Sequence, residues 1–178
     1  MATGIGKTRL MASMIVLLYL EFGITNFMIL APNLTIYEKL IHDFTPNSEK
    51  YLFKGILDFE EKLPQIITGD TYEKTATVSR KKNQIQINIF NISKINSEKD
   101  KFGTPKIHRF SEYIGQSYFE YLSNLKNLIV FMDEAHHYHA KAGIEAIDNL
   151  NPRLGVELTA TAMFSGNKNR PLNNIYYL

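Results

Sequence analysis

The sequence predicts an α/β fold in which a parallel sheet is covered by helices on both faces. Short apolar segments typical of buried strands alternate along the chain with segments whose apolar residues recur at helical spacing. The 178 residues suffice for one domain with a substantial core, and no internal repeat or domain boundary divides them. We therefore treat residues 1–178 as a single domain.

The first elements follow from local patterns. Lys7 to Phe22 is predicted to be a helix, because its apolar residues recur at helical spacing, and Gly23 is typical of a helix C-terminus. The segment NFMILAP, from Asn26 to Pro32, is an apolar run closed by proline and indicates a buried strand. A second helix, capped by Asn33 or Thr35, should follow it.

Three further strands are predicted in the middle of the chain. YLFKG and QIITG are interpreted as two short strands. QIQINIF alternates strictly, which places Ile85, Ile87 and Ile89 on one face of a strand. The polar and charged residues 96–106 indicate a loop.

The same alternation of helix and strand continues toward the end of the chain. Ser111 to Leu122 indicates a tyrosine-rich helix, whose aromatic residues at helical spacing are more typical of a core than of stacking on bases. NLIVFMDE indicates a buried strand that ends in two acids. Lys141 to Leu150 indicates a helix, and LGVEL a final strand.

Composition and charge narrow the functional classes. The absence of cysteine excludes disulfides and thiolate metal sites and is consistent with the cytoplasm, where we expect the chain. The longest apolar run, Met11 to Leu20, is too short to span a bilayer, so we expect no membrane association. From Lys74 to Arg109, nine basic residues accompany two acids, a charge of +7 in a chain of net charge +2. This segment indicates either a polyanionic partner such as DNA or a solvated insertion.

Gly4, Gly6, Lys7 and Thr8 form the pattern of a phosphate-binding loop directly before a helix. Glycines allow the backbone N–H groups to converge on phosphate oxygens, and the helix N-terminus adds to the anion site. In such a loop the lysine reaches the β- and γ-phosphates and the threonine hydroxyl binds Mg²⁺. The alternative is a glycine-rich segment that merely enters a helix.

Asp133 and Glu134 close an apolar strand, the position at which parallel α/β sheets bind ligands. Two adjacent carboxylates there suit two tasks. One holds Mg²⁺ through water, and the other orients and deprotonates an attacking water. The alternative is a solvated acidic turn. His136, His137 and His139 also raise the hypothesis of a metal site, but their spacing is poor for one face and no cysteine supports it.

Several segments together resemble a known family. MATGIGKT, DEAH (residues 133–136) and LTAT (residues 158–161) occur in the order of motifs I, II and III of superfamily-two helicases, and ILAPNLTIYEKLIHDF resembles motif Ia with its helix. The runs INIFNISKIN, SEYIGQSYFEYL, FMDEAHHYHAKAGIEAI and LGVELTATAMF resemble the ATP-dependent helicase (Res) subunit of type III restriction enzymes. The resemblance covers essentially the whole chain.

The resemblance implies a first RecA-like domain of the P-loop NTPases, with ATP and Mg²⁺ as cofactors. It implies double-stranded DNA and the modification methyltransferase (Mod) subunit as partners. By match to the motifs, the nucleotide-binding residues are Thr3, Gly4, Ile5, Gly6, Lys7, Thr8 and Arg9, and the catalytic residues are Lys7, Asp133 and Glu134. The metal ligands implied by the resemblance are Thr8 and Asp133. The residues that would couple nucleotide state to DNA are His136, Thr159 and Thr161. Those near the DNA backbone would be Pro32, Asn33, Ser93 and Lys94. For Pro32 and Asn33, the simpler interpretation is that they end a strand and cap a helix.

The family pattern also predicts parts that this sequence lacks. The strand that should precede the phosphate loop is absent, as are the second RecA-like domain and a nuclease motif. We therefore expect a fragment that hydrolyses ATP weakly by itself. An alternative is a split subunit in which another chain supplies the second domain. The alternative function is a non-catalytic module that binds DNA or docks onto a partner through the basic segment.

Overall fold

The computed structural model of the protein describes residues 6–72, 83–91, 115–133 and 147–158. Within these ranges, five strands form one sheet and four helices pack around it. The strands are β1 (Asn26–Ala31), β2 (Gln65–Thr68), β3 (Gln86–Asn91), β4 (Leu128–Asp133) and β5 (Leu154–Leu158). The helices are α1 (Lys7–Phe22), α2 (Leu34–Phe44), α3 (Leu57–Glu61) and α4 (Gln116–Ser123).

All neighbouring strands are parallel, in the order β2-β3-β1-β4-β5. β1 lies at the centre, where Phe27 pairs with Ile87 of β3 on one side and with Ile129 of β4 on the other. Every residue of β3 and β4 is buried. The predicted parallel sheet is therefore confirmed, and its strands all end at one edge.

Helices cover both faces of the sheet, as predicted. One face, with the odd-numbered residues Phe27, Ile29 and Ala31 of β1, packs against α1, α2 and α3. The opposite face, with Met28 and Leu30 of β1, packs against α4 and residues 147–150. Side chains of β1 alternate between two apolar cores, which is why its sequence is apolar throughout.

The ends of α1 and α2 have the predicted signals. Gly23 adopts a φ of +63°, which L-residues with a side chain disfavour, and its N–H donates to the Tyr19 carbonyl at 2.9 Å. At the start of α2, the Oδ1 atom of Asn33 accepts a hydrogen bond from the Ile36 N–H at 3.0 Å. Of the two capping residues considered, Asn33 is thus the one used.

The predicted strand YLFKG is wrong. Residues 51–55 form turns, in which the Lys54 N–H donates to the Tyr51 carbonyl and Gly55 has a φ of +83°. The apolar signal comes from Phe53, which is fully buried and stacks on Phe59 of α3 with ring centroids 4.4 Å apart. A buried aromatic cluster therefore anchors a turn and a short helix that the pattern of the sequence did not predict.

The remaining predicted strands are confirmed, and Ile85, Ile87 and Ile89 do share one face. The predicted tyrosine-rich helix is confirmed from Gln116 onward. The loop at 96–106, the residues 111–114 and the helix segment 141–146 lie outside the described residues. None of the four helices in the described ranges has the length and apolar character that a membrane crossing requires.

Candidate nucleotide-binding site

The N-terminus of α1 opens onto a cavity at the carboxyl edge of the sheet. Gly6 precedes the helix with a φ of +76°, and no described side chain caps the first turn. The positive end of the helix dipole favours an anion at this position. The glycine is required because the left-handed conformation costs a residue with a Cβ about 1–2 kcal/mol.

Asp133 faces this helix start from the end of β4. Its side chain is 8% exposed, and Oδ1 lies 3.6 Å from the Lys7 Nζ atom. β4 is buried along its whole length and delivers the carboxylate to the carboxyl edge, while α1 delivers the ammonium group. Packing of α1 on the sheet therefore joins two residues that are far apart in sequence.

α2 contributes a second lysine that the sequence patterns did not indicate. The Lys39 Nζ atom donates a hydrogen bond to Thr8 Oγ1 at 3.2 Å and lies 3.4 Å from Asp43 Oδ2, one helical turn further along α2. The Asp43 side chain is 8% exposed, whereas that of Lys39 is 61% exposed. The Lys39–Asp43 spacing of i, i+4 was visible in the sequence, but nothing there indicated the contact with Thr8.

The cavity has a volume of about 940 Å³, within the range of small-molecule sites. Its lining residues are Gly6, Lys7, Thr8, Arg9, Ile36, Lys39, Leu40, Asp43, Glu49, Lys50, Tyr51, Leu52 and Asp133. Four of them are basic and three acidic, which suits a ligand that carries negative charge together with a metal ion. The turn after α2 supplies the far wall, and this wall was also missed from the sequence.

Tyr51 presents a protonated hydroxyl in this wall. Burial, followed by the negative charge of Glu60, raises the pKa of the Tyr51 hydroxyl to about 12. The hydroxyl donates to the Phe59 carbonyl oxygen at 3.2 Å. Tyr51 is therefore held in place by α3 and contributes a neutral edge to the cavity.

The structure brings together five of the predicted site residues. Gly6, Lys7, Thr8, Arg9 and Asp133 all line the cavity. Nine further predicted site residues lie outside the described residues; they are Thr3, Gly4, Ile5, Glu134, His136, Thr159, Thr161, Ser93 and Lys94.

Pro32 and Asn33 form the connection between β1 and α2 and are not among the residues that line the cavity. Pro32 is buried, and the Asn33 side chain is occupied as the helix cap. The simpler interpretation of these two residues, that they end a strand and cap a helix, is thus confirmed.

The cavity residues fit a magnesium ion by their chemistry. The Thr8 hydroxyl and the Asp133 carboxylate are hard oxygen donors on one wall, and Mg²⁺ prefers such ligands with phosphate oxygens and water completing its shell. Within the described ranges, no group of three His, Cys, Asp or Glu side chains forms a metal site made of protein ligands alone.

Comparison with known protein families assigns the chain. Residues 1–164 match the family model described as type III restriction enzyme, res subunit. The chain belongs to the Res-subunit family. A curated relative, the probable type III restriction-modification enzyme HindVIP Res subunit of Haemophilus influenzae, is 33% identical over 145 residues. The match covers 79% of this Res-family chain and 24% of the relative, so the chain spans about a quarter of the relative's length.

Proposed function

We propose that this Res-family chain is the ATP-binding and ATP-hydrolysing motor domain of a DNA helicase or translocase of type III restriction. The observation that supports the proposal is the meeting of Lys7, Thr8 and Asp133 at one cavity at the N-terminus of α1. The cavity offers an ammonium group and helix N–H groups to phosphate, and two oxygen donors to Mg²⁺.

In this proposal each residue has a distinct task. Lys7 contacts the β- and γ-phosphates, Thr8 binds Mg²⁺, and Asp133 holds the ion through water. When bound, the metal neutralises charge that develops on the transferred phosphoryl group. Glu134, which follows Asp133 in sequence, orients and deprotonates the attacking water.

The remaining proposed roles concern DNA and partner proteins. His136, Thr159 and Thr161 couple nucleotide state to DNA, and Ser93 and Lys94, with Pro32 and Asn33, lie near its backbone. The proposed partners are double-stranded DNA and a modification methyltransferase subunit, in the cytoplasm. We propose that the isolated chain hydrolyses ATP slowly, because the family resemblance implies a second RecA-like domain that supplies arginines, an effect worth about 10³–10⁵ in rate in related systems. Turnover comparable to that of a complete two-domain helicase would contradict the last point.

The binding site is tested by titrating the purified chain with a fluorescent ADP analogue in the presence of Mg²⁺. We expect saturable binding that Lys7→Ala weakens by about tenfold to a hundredfold, because a hydrogen bond to a charged group is lost. Lys54→Ala removes an exposed lysine outside the cavity and should leave the affinity unchanged. Absence of binding by the folded wild-type chain would overturn the proposal.

A second candidate function is a non-catalytic DNA-binding module. The charge of +7 between Lys74 and Arg109 favours it. This function predicts DNA binding that weakens steeply with salt and is independent of nucleotide. The motor function instead predicts that DNA affinity changes when the ADP analogue and Mg²⁺ are added. DNA titrations at several salt concentrations, with and without nucleotide, separate the two.

A further inference from the structure

Two cations would compete for the Thr8 Oγ1 atom. The hydroxyl that would bind Mg²⁺ in the proposed function accepts a hydrogen bond from the Lys39 ammonium group at 3.2 Å. An ammonium group and a magnesium ion on the same oxygen repel each other, since both carry positive charge. Lys39 at Thr8 therefore disfavours the binding of Mg²⁺ there.

Lys39 is held at Thr8 by a fixed anion. Asp43 Oδ2 lies 3.4 Å from Lys39 Nζ, and the Asp43 side chain is 8% exposed, so the carboxylate has little freedom to follow another partner. The Lys39 side chain is long and 61% exposed, so it can turn away from Thr8 and keep its contact with Asp43. The pair thus forms a tethered cation beside the phosphate loop.

We propose that Lys39 takes the place of the divalent cation at Thr8 in the metal-free chain, and that binding of a magnesium–nucleotide complex displaces it. The proposal rests on the proposed function, because it concerns the same cavity. Lys39 then acts as a positioning residue with two opposite effects. It competes with Mg²⁺ for Thr8, and it supplies positive charge to the phosphates of a nucleotide that arrives without metal.

These two effects predict that the Kd of the Lys39→Met variant changes in opposite directions in a Mg²⁺ buffer and in an EDTA buffer. With saturating Mg²⁺, the Kd for the fluorescent ADP analogue should fall by about two- to fivefold, because an exposed charged contact no longer has to be broken. In EDTA, the Kd should rise by about two- to fivefold, because a cation near the phosphates is lost. The ratio of the Kd in EDTA to the Kd in Mg²⁺ should therefore rise by about 4- to 25-fold.

Lys54→Met is the matched control, because it removes the same charge from an exposed position outside the cavity. The ratio of the Kd in EDTA to the Kd in Mg²⁺ should be the same for Lys54→Met as for the wild type. If Lys39→Met unfolds because Asp43 loses its partner, the double variant Lys39→Met, Asp43→Asn removes both charges and should show the same rise in the ratio. Circular dichroism establishes which variants are folded.

Each outcome distinguishes the two proposals. An unchanged ratio in a folded Lys39 variant, or weaker binding in both buffers, overturns the role of Lys39 and leaves the nucleotide site standing. Wild-type binding that Lys7→Ala weakens, together with the raised ratio in Lys39→Met, supports both. A folded wild-type chain that binds the analogue in neither buffer overturns both the proposed function and this inference.

Discussion

The Tyr118 hydroxyl donates a hydrogen bond to Asn88 Oδ1 in the core between the sheet and α4. Asn88 is fully buried in β3, and its Nδ2 donates to the Phe27 carbonyl oxygen of β1 at 2.9 Å. One amide side chain thus links two strands to a helix. Because Asn88 lies within an otherwise apolar sheet interior, each of its polar atoms needs a partner.

Tyr118→Phe should lower the free energy of unfolding by about 1–2 kcal/mol, because it removes a hydrogen bond from a buried amide oxygen. For a chain of this size, the melting temperature should fall by about 2–8 °C. Tyr121→Phe is the control, since the Tyr121 hydroxyl donates to Gln86 Oε1 in a partly buried position and its loss should cost less. Equal losses for the two variants in thermal unfolding would contradict the role of Asn88.

Asp133→Asn should raise the Mg²⁺ concentration needed for half-maximal binding of the ADP analogue by about 10–100-fold, the usual cost of altering a group that holds a metal through its water. The neutral amide keeps the shape of the side chain but loses the charge that attracts the ion. Affinity in EDTA should change much less. An unchanged Mg²⁺ midpoint would show that Asp133 serves only as the ion-pair partner of Lys7.

Gly115→Ala should destabilise the protein more than Gly23→Ala. Both glycines have positive φ, +78° and +63°, so an alanine at either is strained by about 1–2 kcal/mol. At Gly115, an added Cβ would also lie 3.0 Å from Tyr72 Cε2, whereas at Gly23 it would meet nothing within 4 Å. Urea unfolding of both variants measures the difference, and a larger loss at Gly23 would contradict this account.

Stability should fall between about pH 10 and pH 12, partly through Tyr51. The pKa of the Tyr51 hydroxyl is raised to about 12 in the folded chain, so the unfolded chain releases this proton at a lower pH. Its contribution is therefore fully present below pH 10 and is lost as the pH rises through the folded value. Tyr51→Phe should show a shallower alkaline decline in urea midpoints. A decline as steep as that of the wild type would exclude this group.

The sequence predicted the elements whose signals are local. The left-handed Gly23, the Asn33 cap and the alternation around Ile87 are each determined by a few neighbouring residues, and all three are present in the structure. The strand predicted at residues 51–55 was wrong, because the apolar residues there pack in an aromatic cluster with α3. Short apolar runs cannot distinguish these two situations.

The site residues that could be predicted from the sequence are those in a recognisable local motif. The phosphate-loop pattern placed Lys7 and Thr8 at a helix start, and the acid after an apolar strand placed Asp133 at the carboxyl edge of the sheet. Lys39 could not be found in this way. Its contact with Thr8 depends on how α1 and α2 lie on the same face of the sheet, and this arrangement has no signature in either segment.

During synthesis, the central strand β1 must wait for both of the strands that pair with it. β1 is synthesised before both of its neighbours, β3 and β4. At synthesis rates of about 5–20 residues per second, the roughly 100 residues between β1 and β4 take about 5–20 s to appear. Throughout that interval β1, which is apolar from Phe27 to Ala31, has an unpaired edge, and Lys7 has no Asp133 to meet. An unpaired apolar strand edge favours aggregation, so the nascent chain is exposed to this risk until β4 has been made.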